Sequence, residues 1–138
     1  MGQADRASAL KRVDTPLGTI AYRQAGRGAI THVLLHGIGS ASASWEAQLA
    51  WAQDRSDIGL LAWDAPGYGA SSHLPAETPV AADYGARVWA WLDALGVAEI
   101  TLVGHSLGAL MAAAATVQAP DRVRRLVLLA PALGYADA

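Results

Sequence analysis

Four short apolar runs constrain this chain most: His32–His36, Ile58–Trp63, Glu99–Gly104 and Val123–Ala130. Each is rich in Val, Ile or Leu, and stretches with helical spacing lie between them. Strands that are apolar on both sides must be covered on both faces, which is the demand of a buried parallel sheet. The stretches between them supply that cover. After the first run, Ser44 is placed as the N-cap of a helix that carries Trp45, Leu49 and Ala52 on one face. Pro79–Gly96 reads as a long helix with Val88, Trp91, Leu92 and Leu95 on one side and Gly96 at its stop. Ser106–Ala119 reads as the next helix, and Pro120 separates it from the last strand. Upstream, Leu10–Asp14 and Thr19–Gln24 are strand-like around Thr15-Pro16-Leu17-Gly18, which makes a hairpin. The expected fold is α/β, with an antiparallel hairpin leading into a mostly parallel sheet that has helices on both faces. No repeat or low-complexity linker interrupts it, so residues 1–138 are read as one domain.

Composition narrows the function. The chain is 53% hydrophobic and 16% charged, a globular balance. Its 10 basic and 12 acidic residues leave a net charge of -2, no footprint for nucleic acid or an anionic membrane surface. The absence of cysteine excludes disulfides, thiolate metal sites and cysteine nucleophiles, and it suits a cytoplasmic location. Met1–Arg6 lacks the apolar region of a signal peptide, and Arg6 stands where a myristoylation motif needs Ser or Thr. Ile100 to Ala119 carries no charged residue, but a membrane span there would bury His105, glycines and Gln118 in hydrocarbon. A buried strand, a tight turn and a buried helix account for it better.

That turn holds the strongest chemical signal. Gly104-His105-Ser106-Leu107-Gly108 matches Gly-x-Ser-x-Gly, with a strand leading in and a helix leading out. A sharp strand-to-helix turn forces the serine into a strained backbone, so the residues two before and two after must be small; Gly104 and Gly108 supply the clearance. Ser106 then projects its hydroxyl above the strand ends as a candidate nucleophile. The start of the next helix adds free N–H groups and a positive dipole for a developing oxyanion.

A competing pattern is Gly37-x-Gly39 after a strand, with Asp64 ending the next, which loosely follows a dinucleotide fingerprint. Position 42 is Ser where the third glycine belongs, and a hairpin precedes the unit, so this pattern is set aside. Of the histidines, His36 is expected to hydrogen-bond neighbouring backbone and hold its loop's shape. His105 is expected to be structural, His32 to lie on a sheet face and His73 in a loop.

Three segments, His36-Gly37-Ile38-Gly39, Asp64-Ala65-Pro66-Gly67-Tyr68-Gly69-Ala70-Ser71 and Gly104-His105-Ser106-Leu107-Gly108, together resemble the signature series of the α/β-hydrolase superfamily, from about Leu10 onward. The final Leu126–Ala132 resembles that family's sixth strand. The pattern is similar to soluble esterases, enol-lactonases and carbon–carbon bond hydrolases; a serine at position 106 sets it apart from the branches that carry aspartate there. The resemblance implies an oxyanion hole made by the backbone N–H groups of Ile38 and Leu107, with Gly37 and Gly39 bending the loop toward Ser106 and His36, His105, Gly104 and Gly108 in support. It implies a structural role for Asp64. Core packing is the expected role of Trp45, Trp63 and Tyr68.

The same resemblance implies a chain order of serine, then acid, then histidine. After Ser106 only Asp121 and Asp137 remain as acids, and no histidine follows. Asp121 falls at the wrong end of the sheet, and Asp137 has nothing to orient. The triad acid and base are therefore expected outside this chain, along with the cap and further strands, which leaves the isolated chain nearly inactive. The expected substrate is a small acyl compound, without metal or cofactor. Acyl transfer, carbon–carbon cleavage and cofactor-free haloperoxidation share the same elbow, and a non-catalytic binding or interaction module is the alternative. The exposed last strand is expected to favour self-association.

Overall fold

The computed structural model describes residues 9–75, 77 and 79–132. The hairpin forms as β1 (Lys11–Thr15) and β2 (Gly18–Ala25), closed by a turn in which Thr15 Oγ1 donates to the Gly18 carbonyl at 2.7 Å. β3 (His32–Leu35) is followed by a 3-10 turn, Ser42–Trp45, and the short helix α1 (Glu46–Ala52). Then come β4 (Leu60–Trp63), α2 (Ala81–Ala94), β5 (Ile100–His105), α3 (Leu107–Gln118), a 3-10 turn at Pro120–Arg122, and β6 (Val123–Leu129). The six strands form one sheet in the order β1-β2-β4-β3-β5-β6. The β1–β2 and β2–β4 pairs are antiparallel and the other pairs parallel, as the apolar runs imply.

Alternation along the strands divides the core. Ile20, Tyr22, Val33, Leu35, Leu61, Trp63, Ile100 and Leu102 face α2 and α3, where Val88, Trp91, Leu92 and Met111 meet them. Trp63 and Trp91 stack at 5.6 Å, both fully buried. Ala25, Leu34, Leu60 and Ala62 face the other way, against Trp45, Leu49 and Ala52. Gly85 lets α2 and α3 approach, because a Cβ there would stand 3.0 Å from Ala115 N. Trp89 Nε1 donates to the Ala115 carbonyl at 2.8 Å across the same contact.

Two local expectations change. Ser44 is not an N-cap: its hydroxyl donates to the Ala41 carbonyl at 2.8 Å inside the 3-10 turn, and the helix begins at Glu46. The long helix starts at Ala81 rather than Pro79, with Asp83 Oδ2 accepting the Val80 N–H at 2.8 Å. It ends at Ala94; Gly96, at φ +72°, makes the expected stop, and the Val97 N–H reaches back to the Leu92 carbonyl at 2.9 Å. The uncharged stretch from Ile100 is, as expected, broken at the elbow into β5 and the 12-residue α3. No described helix is long and apolar enough to cross a membrane.

Candidate active site

β5 runs into the site and α3 runs out of it. Between them Ser106 adopts φ 56° and ψ −119°, a left-handed backbone on a residue with a side chain. Such strain costs on the order of 1–3 kcal/mol and persists only where the surroundings impose it. Here the Ser106 N–H donates to the Leu129 carbonyl at 3.0 Å. Its own carbonyl accepts from Ala109 N–H at 3.0 Å and Ala132 N–H at 3.1 Å. Side chains have no room beside the turn. A Cβ on Gly104 would collide with the Gly108 carbonyl and lie 2.6 Å from Ala109 Cα; one on Gly108 would lie 2.5 Å from the His36 carbonyl oxygen. Ser106 is left half-buried at the C-terminal ends of the strands, and no described side chain hydrogen-bonds its hydroxyl.

The loop after β3 passes directly beside it. A Cβ on Gly37 would stand 3.0 Å from Ser106 Cβ and 3.4 Å from His105 Nδ1. Gly39, at φ +71°, then turns the chain away, and Ser40 N–H closes onto the Gly37 carbonyl at 3.3 Å. Ile38 sits at the tip, 71% exposed. Among the described residues, no backbone carbonyl takes the N–H of Ile38 or of Leu107. Leu107 opens α3, whose N-terminus favours negative charge. A hydroxyl carried on a strained backbone is therefore followed in sequence by the unclaimed N–H of Leu107 and borders the loop that carries the unclaimed N–H of Ile38.

His36 shapes this arrangement from beneath. It is 1% exposed, accepts the Ala65 N–H at Nε2 (3.0 Å), and meets Tyr68 edge-on at 5.3 Å. An amide N–H can only donate, so the ring proton resides on Nδ1 and is donated to the Gly37 carbonyl at 2.8 Å. Burial pulls its pKa below the ordinary histidine value, against the raising effects of the Gly37 carbonyl and the Asp64 charge. With both ring nitrogens engaged, His36 has no free nitrogen for Ser106.

Asp64 is structural as well. Its Oδ1 accepts Ser42 N–H at 2.8 Å and its Oδ2 accepts Ala70 N–H at 3.1 Å, and at 3% exposure it is turned into the scaffold rather than out toward a ribose. Ser71 donates its hydroxyl to the Asp64 carbonyl and accepts Ala21 N–H at 2.9 Å, and Ser42 accepts Arg23 Nε at 3.0 Å. Ser42 and Ser71 are buried parts of this scaffold that sequence reasoning did not single out. The available signal was an aspartate at a strand end, which needs nearby donors if it is buried.

None of the remaining candidates hydrogen-bonds the Ser106 hydroxyl among the described residues. His105 is exposed and lines a cavity of about 300 Å³ with Ser40, Ser44, Trp45, Gln48 and Leu129. His32, at the start of β3, pairs Nδ1 with the Thr31 hydroxyl at 2.8 Å, at the opposite end of the sheet from the elbow. Asp121 sits in the 3-10 turn before β6, also at the far end. Asp137 lies outside the described residues. Trp45 and Trp63 are buried in the core clusters, and Tyr68 packs against one of them.

A mixed sheet with a strained serine between a central strand and its following helix, beside a glycine-bent loop, defines the α/β-hydrolase class. The chain belongs to that family: residues 33–138 match the family described as alpha/beta hydrolase fold. It is 34% identical over 139 residues to the dihydrolipoyllysine-residue acetyltransferase component of the acetoin cleaving system of Cupriavidus necator, covering 99% of this chain and 36% of that protein. It is 34% identical over 116 residues to the 2-hydroxy-6-oxononadienedioate/2-hydroxy-6-oxononatrienedioate hydrolase of Paraburkholderia phymatum, covering 82% of this chain and 40% of the relative. A solved hydrolase from Pseudomonas aeruginosa superposes with a TM-score of 0.81 at 32% identity, over 95% of this chain and 49% of that one. The chain thus spans less than half the length of these relatives.

Proposed function

We propose that this chain is the nucleophile-bearing part of a serine hydrolase acting on carboxylic esters or related acyl compounds. The observation that carries this reading is Ser106, held at φ 56° between β5 and α3 with the Ile38 and Leu107 N–H groups unclaimed beside it. Ser106 Oγ attacks the substrate carbonyl carbon while a base removes its proton. The carbonyl oxygen takes up negative charge facing the two N–H donors, a preorganised stabilisation. The tetrahedral species collapses, the alcohol leaves with a proton, and water later releases the acyl group from Ser106. The base and the acid that orients it come from outside the described residues. No cofactor enters this scheme.

Hydrolases among the relatives support the class of reaction, while the acetyltransferase relative favours acyl transfer as a second reading. Both pass through the same acyl-serine, and they differ in whether water or another nucleophile accepts the acyl group. Incubation with p-nitrophenyl acetate tests the scheme. The chain should release at most one equivalent of nitrophenol and hold the acetyl group on Ser106, because no base activates water. Sustained turnover that vanishes in Ser106→Ala would show a base within the chain. Release that is unchanged in Ser106→Ala would remove Ser106 from the chemistry.

A further inference from the structure

The N–H groups of Ile38 and Leu107 belong to peptide units whose carbonyls are both held. In a trans peptide the C=O and the N–H point in opposite directions, so a donor that grips the carbonyl also aims the N–H. No described peptide bond is cis. The Gly37 carbonyl, in the unit that carries the Ile38 N–H, accepts from His36 Nδ1 at 2.8 Å and from Ser40 N–H at 3.3 Å. His36 is buried, so this carbonyl is drawn inward and the Ile38 N–H is turned away from it. The Ser106 carbonyl, in the unit that carries the Leu107 N–H, accepts from Ala109 N–H at 3.0 Å and from Ala132 N–H at 3.1 Å. The first of these opens α3, but the second comes from beyond β6. The chain reaches it by turning at Ala130, at φ 43°. Ala130 and Ser106 are the two non-glycine residues with positive φ among those described, and the Ala132 bond ties the turn at one to the carbonyl of the other.

We propose that His36 and Ala132 are positioning residues for the two oxyanion donors. His36 aims the Ile38 N–H through the Gly37 carbonyl, and Ala132 aims the Leu107 N–H through the Ser106 carbonyl. This rests on the proposed role of Ser106 as the nucleophile. Donors stabilise charge developing on an acyl oxygen most when their direction is fixed beforehand, because a peptide that must reorient during the reaction loses that advantage. Each carbonyl here has two donors from different parts of the chain, which holds the peptide plane and not merely one end of it. His36 is itself fixed: the Ala65 N–H occupies Nε2, so Nδ1 carries the proton and donates. On the other side, the Ser106 N–H is bound to the Leu129 carbonyl, so both peptides flanking the serine are tied to the end of β6. A left-handed alanine has no local cause and persists only where the surroundings impose it. The turn at Ala130 is what delivers the Ala132 N–H to the elbow.

Acylation of Ser106 by p-nitrophenyl acetate and by its thiono analogue, in which sulfur replaces the carbonyl oxygen, tests the proposal. In both reactions Ser106 Oγ bonds to the acyl carbon, the aryl ester bond breaks, nitrophenolate leaves and hydroxide takes the hydroxyl proton. Sulfur accepts hydrogen bonds weakly, so the ratio of the two rates reads the oxyanion donors rather than the nucleophile. The oxygen-to-sulfur ratio should fall about tenfold or more in His36→Phe, which keeps a ring but offers the Gly37 carbonyl no donor. It should recover in His36→Asn, whose amide nitrogen stands where Nδ1 stood. Ala132→Pro removes the N–H that grips the Ser106 carbonyl and should lower the ratio in the same way. It lies in a turn outside the sheet, so it remains informative where His36→Phe does not fold. An unchanged ratio in either variant would overturn the proposal for that donor. A ratio as low in His36→Asn as in His36→Phe would make His36 a packing residue only. These outcomes leave Ser106 as the nucleophile, whereas acetylation that is unchanged in Ser106→Ala would remove both the proposal and the reading beneath it.

Discussion

The Ala65 N–H donates to His36 Nε2 at 3.0 Å, and this one hydrogen bond couples the loop after β4 to the loop that borders Ser106. It fixes the ring's tautomer, and through Nδ1 it fixes the Gly37 carbonyl. His36 is therefore a strut between two loops, and its neutral form is the one the fold requires.

Protonation must break that strut. Burial holds the folded-state pKa of His36 below its unfolded value near 6.5, so the unfolded chain binds the proton more readily. The neutral form's contribution to stability is fully present above about pH 6.5 and is lost as pH falls toward the lower folded value. Urea midpoints should therefore drop between about pH 7.5 and about pH 5.5, and less steeply in His36→Gln. His32, also shifted down by burial, should retain part of the slope. An identical slope in wild type and His36→Gln would contradict the strut.

Ser106 should cost the fold stability. Its hydroxyl has no described hydrogen-bonding side chain while its backbone is left-handed, so Ser106→Gly should relieve the strain. After the extra backbone entropy of glycine, the expected gain is about 1 kcal/mol. Ser106→Ala should stay within about 0.5 kcal/mol of the parent. Denaturant melts of the three proteins check the order, and a destabilised Ser106→Gly would show that the serine is not strained.

The glycines should separate by cause. Gly108→Ala puts a methyl group against the His36 carbonyl and should cost more than about 3 kcal/mol. Gly39→Ala meets nothing within 4 Å and bears only its positive φ, so it should cost about 1 kcal/mol. Equal losses in thermal melts would argue against the close approach of α3 to the end of β3.

Asp64→Ala should unsettle the same corner. It strips acceptors from the Ser42 and Ala70 N–H groups, at about 1–3 kcal/mol for each that remains buried and unpaired. Asp64→Asn keeps one carbonyl oxygen and should lose about half as much. Urea titration would reveal a purely surface role if both variants matched the parent.

Much of this was legible from residues alone. The apolar runs carried the strands because a parallel sheet buried on both faces writes an unbroken pattern, and Gly104 and Gly108 carried the elbow because its geometry excludes side chains. Ser44 misled because a serine before an apolar run satisfies a cap and a 3-10 turn equally well. Which alternative holds depends on Asp64, which lies 20 positions away in sequence and pins the turn through Ser42. Ser42 and Ser71 were invisible for the same reason: burial of a small hydroxyl is decided by tertiary partners, and periodicity does not encode them. The role of His36 was legible in kind, though its second partner, Ala65, came only with the packing of β3 against β4.

The proposed role of Ser106 as the nucleophile toward acyl substrates is tested most directly by covalent capture. The chain would be treated with a fluorophosphonate across about pH 6 to about pH 9 and the label located by peptide mass spectrometry. The account predicts one label, on Ser106, with a rate that rises about tenfold per pH unit, because the proposed scheme takes its base from outside the described residues and hydroxide stands in for it. Labelling spread over other serines, or unchanged in Ser106→Ala, would contradict it.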